Sequence, residues 1–130
     1  MNKEQTVSVR YIVNNVDEAI SFYKDFLGFE LVMHPAPPFA MLSLNNLRLL
    51  LSQAGAGGGG HALPGGEIPQ PGGWNRIHLP VDNLQSYYDE LKQKGATFKS
   101  DIIEGIGGNQ VLLEDPSGNL IELFESTIGK

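Results

Sequence analysis

A chain of 130 residues is long enough to bury a core of its own as one domain, and with no cysteine it has neither disulfides nor thiolate metal sites. Its formal net charge of −6 makes nucleic acid and anionic membranes poor partners and leaves cationic or neutral small molecules open. The start, MNKEQTVSV, is polar where a secretory signal would be apolar, and no apolar run approaches the roughly 20 residues that span a bilayer, so a cytoplasmic protein is expected.

Residues 6–13, TVSVRYIV, are β-branched and largely apolar and predict a strand. In NNVDEAISFYKDFLGFEL, Asn15 caps a helix with Glu18 three residues on, and Val16, Ile20, Tyr23 and Leu27 recur at helical spacing. Gly28 stands where a helix end favours left-handed backbone. Residues 29–34, FELVMH, predict a strand that PAPP breaks, and FAMLSL and LRLLLSQ predict two more around the turn at Asn45 and Asn46. Residues 6–53 therefore read β-α-β-β-β.

Residues 54–73, AGAGGGGHALPGGEIPQPGG, have little to bury and predict a linker or mobile loop. The GGGG run lacks the strand–glycine–helix context of a phosphate cradle, and no GK[ST] follows it.

The same order then returns over residues 74–126. WNRIHLPV predicts a strand, and DNLQSYYDELKQKG a helix with Asp82 and Gln85 as its cap pair and Gly95 at its end. ATFKSDII, NQVLLED and NLIELFES predict three strands, the last two joined by a DPSG turn with proline and glycine where a type I turn prefers them. The halves align, VNNVDEAISFY over PVDNLQSYYDEL and NLRLLL over NLIELF, and an internal repeat outranks local propensity. The expected fold is α+β: two paired β-α-β-β-β modules packed into a curved mixed sheet around a cleft.

This repeat resembles the glyoxalase/bleomycin-resistance/dioxygenase superfamily, the vicinal oxygen chelate proteins. VDEAISFYKDFLGFEL looks like its first-module helix signature and LLEDPSGNLIELFE like its C-terminal hairpin. The resemblance implies a VOC domain over nearly the whole chain. It leaves the activity open, because the superfamily spans isomerases, dioxygenases, resistance enzymes and non-catalytic drug binders. Its metal-dependent members take ligands from the first and last strands of each module. That pattern falls here on Ser8, Leu49, Arg76 and Glu122. Only Glu122 is a good ligand, and an arginine offers a metal no lone pair. The resemblance thus implies no metal and no other cofactor.

Strand alternation puts Trp74, Arg76 and His78 on one face of their strand, with Leu120, Glu122 and Phe124 on the matching face of the last. Ser8, Arg10 and Ile12 follow the same parity in the first module. The candidate ligand-binding residues are therefore Arg76, His78, Glu122, Trp74, Ser8 and Arg10, with His78 and Glu122 the candidates for any catalysis. Each has a plainer reading. Arg76 and Glu122 pair simply to neutralise each other, or together clamp a polar ligand group. Trp74 stacks a planar ligand or fills the core. His34 and His61 are expected at the surface, although either could join His78 and Glu122 in a new metal site.

Taken with these residues, the resemblance implies first a metal-independent small-molecule-binding protein of the bleomycin-resistance type, drug- or metabolite-sequestering and homodimeric. The alternative is a glyoxalase-like lyase or isomerase, or a dioxygenase, which would need a divalent metal at an atypical site. A second alternative is a non-catalytic interaction subunit with a vestigial cleft.

Overall fold

The computed structural model describes residues 5–128, so the first residues of the polar start lie outside the description. The chain divides between Gly72 and Gly73 into two units, each an open mixed sheet carrying one helix.

In the first unit β1 (Val7–Val13) runs parallel to β4 (Leu47–Gln53), and β3 (Phe39–Leu44) and β2 (Glu30–Ala36) continue the sheet antiparallel in the order β1-β4-β3-β2. Helix α1 (Val16–Leu27) forms as its caps dictate. The Oδ1 atom of Asn15 accepts the Glu18 N–H at 2.8 Å, and Gly28 turns left-handed at φ +74°. Its buried stripe, including Val16, Ile20, Tyr23 and Leu27, shares a core with Tyr11, Val13, Leu42, Leu49 and Leu51. The β3–β4 turn puts Asn45 at φ +52°, a conformation asparagine tolerates better than most residues.

Strand β2 runs two residues further than the sequence predicts, through Pro35 to Ala36. It is an edge strand, where a missing N–H can face outward, and register shifts on either side of Met33 absorb the irregularity.

The glycine-rich segment does more than join the modules. Gly58–Gly60 form a single 3₁₀ turn, and the Gly55 N–H donates to the Gly60 carbonyl at 2.8 Å. A Cβ on Gly59 would collide with the guanidinium of Arg10, and one on Gly60 with the carbonyl of Gln53. Gly60 is thus required by close approach to the β4 backbone, whereas at Gly59 the Arg10 side chain would have to move.

The second unit repeats the topology. Strand β5 (Arg76–Pro80) is parallel to β9 (Leu120–Ser126), and β8 (Gly108–Glu114) follows antiparallel. The segment expected as one strand is two short pieces, β6 (Thr97–Phe98) and β7 (Ile103–Glu104), both paired with β8. Between them the Tyr88 hydroxyl donates to Asp101 at 2.8 Å and ties the chain to helix α2 (Leu84–Gln93). The cap of α2 is Asn83 rather than Asp82. Its Oδ1 accepts the Ser86 N–H at 3.0 Å, and the carboxylate of Glu125 accepts the Leu84 N–H at 2.6 Å. Leu84, Tyr88 and Leu91 bury against the sheet face made by Ile77, Val111, Leu113, Ile121 and Leu123. The β8–β9 turn is held by Asp115, whose Oδ1 accepts the N–H groups of Ser117 and Asn119 at 2.8 and 2.9 Å.

Candidate ligand-binding site

Because α2 covers one face of the second sheet, the side chains that alternate to the other face are the more exposed ones, apart from Leu120, which is buried. In β5 these are Arg76 and His78, and in β9 Glu122 and Phe124; Ile77, Ile121 and Leu123 go into the core. The parallel register places His78 directly beside Glu122 and Arg76 beside Leu120. The guanidinium spans that offset. Its Nε and Nη2 both donate to Glu122 Oε1, at 3.0 and 2.9 Å, and its Nη1 donates to the Trp74 carbonyl at 3.2 Å. The other carboxylate oxygen, Oε2, lies 3.5 Å from His78 Nε2. The His78 ring leans on Phe124, with centroids 4.8 Å apart.

Glu122 therefore serves two cationic or donor groups at once, one on each oxygen. Its side chain is 14% exposed, against 29% for Arg76 and 50% for His78. The carboxylate is the sheltered centre, and the partners rise toward solvent. Three of the five guanidinium N–H donors are engaged within the unit, which leaves two for an acceptor on a ligand. The imidazole adds a further donor or acceptor, and Phe124 an apolar wall.

Of the candidates read from the sequence, Arg76, His78 and Glu122 come together. Trp74 joins them through its backbone while the residue as a whole is 70% exposed, so it does not fill the core. Ser8 and Arg10 belong to the first unit, where Arg10 Nη1 donates to the buried Ser52 Oγ at 2.8 Å. Leu49 requires a correction. It pairs with Val9 and is fully buried with Tyr11, Val13 and Leu51 on the face opposite Ser8 and Arg10. Leu50, across from Arg10, occupies the face that Leu49 was expected to share.

His34 lies 3.8 Å from Asp17 on the first unit, and His61 Nδ1 is 2.6 Å from the Ala62 carbonyl. Among the described residues no three His, Asp or Glu side chains converge where they could hold a metal ion. The donor chemistry of the second sheet agrees. A divalent ion asks for about three or more lone-pair ligands, and this face offers His78 and a carboxylate already held by a guanidinium. These residues do not fit a divalent metal.

A second pair on the second unit went unread in the sequence. Lys99 Nζ lies 3.3 Å from Glu114 and 5.9 Å from the centre of the Trp74 indole. Lysine, glutamate and tryptophan stand at sequence separations that carry no motif, and only the pairing of β6 with β8 and of β5 with β9, on either side of the β8–β9 hairpin, brings them together.

The family model of the Glyoxalase/Bleomycin resistance protein/Dioxygenase superfamily matches residues 5–123. The chain belongs to this superfamily. Solved structures of similar fold include a superfamily member from Sphaerobacter thermophilus, 25% identical with a TM-score of 0.74, covering 93% of this chain and 96% of that one. TnmS3, an antibiotic-binding protein from a Streptomyces species, is 20% identical with a TM-score of 0.73 and coverage of 98% and 99%. A lactoylglutathione lyase from Agrobacterium tumefaciens is 19% identical with a TM-score of 0.72, covering 96% of each chain. At the last two identities the likeness is one of fold. No functionally curated protein matches the chain. Superfamily membership accounts for the paired β-α-β-β-β order, and the solved structures of similar fold include both an antibiotic-binding protein and a lyase.

Proposed function

We propose that this superfamily member binds a small molecule on the Arg76–His78–Glu122 face without a metal ion. The observation that carries the reading is the guanidinium of Arg76 within 3.0 Å of Glu122 Oε1. A fixed cation already neutralises the one sheltered carboxylate, so the face needs no ion to satisfy it. The two remaining guanidinium donors and the exposed imidazole suit a carboxylate, amide or carbonyl on the ligand.

A second reading is favoured by one contact, the 3.5 Å approach of His78 Nε2 to Glu122 Oε2. A carboxylate beside an imidazole orients it for proton transfer, as a lyase or isomerase would need. The water-facing position of His78 argues for binding over catalysis.

The ligand-binding form is a homodimer on this reading. Its support is the edge strand β2, which leaves Leu31, Val32 and Met33 exposed in a row.

The test is a thermal-shift screen of chelator-treated protein against small carboxylates, amides and ketones. The reading expects at least one compound to raise the melting temperature saturably, with no turnover, and Arg76→Met to abolish the effect. At ligand 100-fold above Kd the stabilisation is about 2.7 kcal/mol. Hits that need restored metal, or that are consumed, would refute it.

A further inference from the structure

Beside Arg76, on the same unit, lies a pocket of about 200 Å³ lined by Gly73, Trp74, Lys99, Gly118 and Leu120. Pockets that enclose a drug-sized ligand measure roughly 300–1,000 Å³, so this pocket has room for one end of a ligand. We infer that it takes the planar end of an aryl carboxylate: the ring stacks on Trp74 and the carboxylate pairs with Lys99. The inference rests on the proposed binding face and names the ligand class for it.

Three observations converge. The first is the indole. Trp74 as a residue is 70% exposed, which leaves a large apolar plane accessible, and its attachment is fixed rather than loose. Gly72 and Gly73 precede it at φ +102° and +92°, a bend that glycine alone takes readily, and the Arg76 guanidinium holds the Trp74 carbonyl.

The second is the room around it. Built on the backbone, a Cβ at Gly73 or at Gly118 would meet nothing within 4 Å, so neither crowds the pocket.

The third is the charge. Lys99 lies 5.9 Å from the indole centre and 3.3 Å from Glu114, so one carboxylate faces an ammonium that has three donors. Lys99 is also the more exposed partner, 45% against 24% for Glu114. The accessible charge is therefore the cation, which selects an anionic ligand over an ammonium despite the chain's net charge of −6.

Trp74 is the chain's single tryptophan, so its emission reports this pocket and no other place. The test is a fluorescence titration of the full chain with naphthoate, methyl naphthoate and naphthylmethylammonium. Saturable quenching by naphthoate is expected, at least about tenfold weaker for the ester and for Lys99→Gln, the loss of one charge-assisted hydrogen bond. Glu114→Gln, which keeps the lysine charge, should bind naphthoate as tightly as the parent or tighter. Equal quenching by all three probes, or naphthoate binding indifferent to Lys99→Gln, would overturn the aryl-acid assignment. So would compounds that shift the melting temperature through Arg76 while none of the probes touches Trp74 emission, a result that leaves the binding face standing. Loss of both readouts would remove face and pocket together.

Discussion

Arg76 gives two of its donors to a single oxygen of Glu122, at 3.0 Å from Nε and 2.9 Å from Nη2, and so leaves the second oxygen to His78. A fork-to-fork pair would have used both oxygens and closed the carboxylate off. The one-sided geometry makes Glu122 the hinge of a three-residue array rather than half of a sealed ion pair.

Removing either partner should strand the other. Partial exposure limits the cost, so Glu122→Gln and Arg76→Met are each expected to destabilise by about 1–2 kcal/mol, below the 3–5 of a deeply buried pair. The double variant should recover part of that sum, with a coupling above about 0.5 kcal/mol in denaturant unfolding. Additive losses would mean that the contact contributes nothing.

The burial of Leu49 makes a separate prediction for the first unit. Leu49→Ala should cost about 2–5 kcal/mol, as for a fully buried leucine, and Leu50→Ala distinctly less, because Leu50 is only half-buried. Equal costs would contradict the register of β1 on β4.

Gly60 and Gly57 divide the glycine run by its contacts. Gly60→Ala drives a methyl into the Gln53 carbonyl and should destabilise by about 1–3 kcal/mol. Gly57, with open space where a Cβ would stand, should accept alanine with little change in melting temperature. A run that tolerates both substitutions alike would be a plain linker.

These positions also show what a sequence can and cannot disclose. The ends of α1 were legible because Asn15 and Gly28 act locally, through hydrogen bonds three or four residues long. The cap of α2 was misplaced by one because Asp82 and Asn83 are both good capping types, and Glu125, which accepts the Leu84 N–H, arrives from 41 residues away. The face of Arg76, His78 and Glu122 followed from alternation alone. Leu49 failed because the hairpin alignment and the first-strand alignment differ by one residue, and in a strand one residue exchanges the faces. The extension of β2 through Pro35 depends on its being an edge, which is a property of the sheet and not of the segment. Lys99 and Glu114 had no local signature at all.

The exposed row on β2 bears on assembly. The dimer reading expects twice the chain mass in light scattering at micromolar concentration, and a charged substitution, Val32→Lys, should shift the protein toward monomer. Monomer mass throughout that range would end the dimer proposal.

The central claim is that a guanidinium, and not a metal ion, satisfies Glu122. It is tested most directly by calorimetric titration of zinc, nickel, iron(II) and manganese into chelator-treated protein. The account predicts no saturable heat near one equivalent for any of the four, in the parent and in Glu122→Ala alike. A stoichiometric site in the parent that Glu122→Ala abolishes would contradict it.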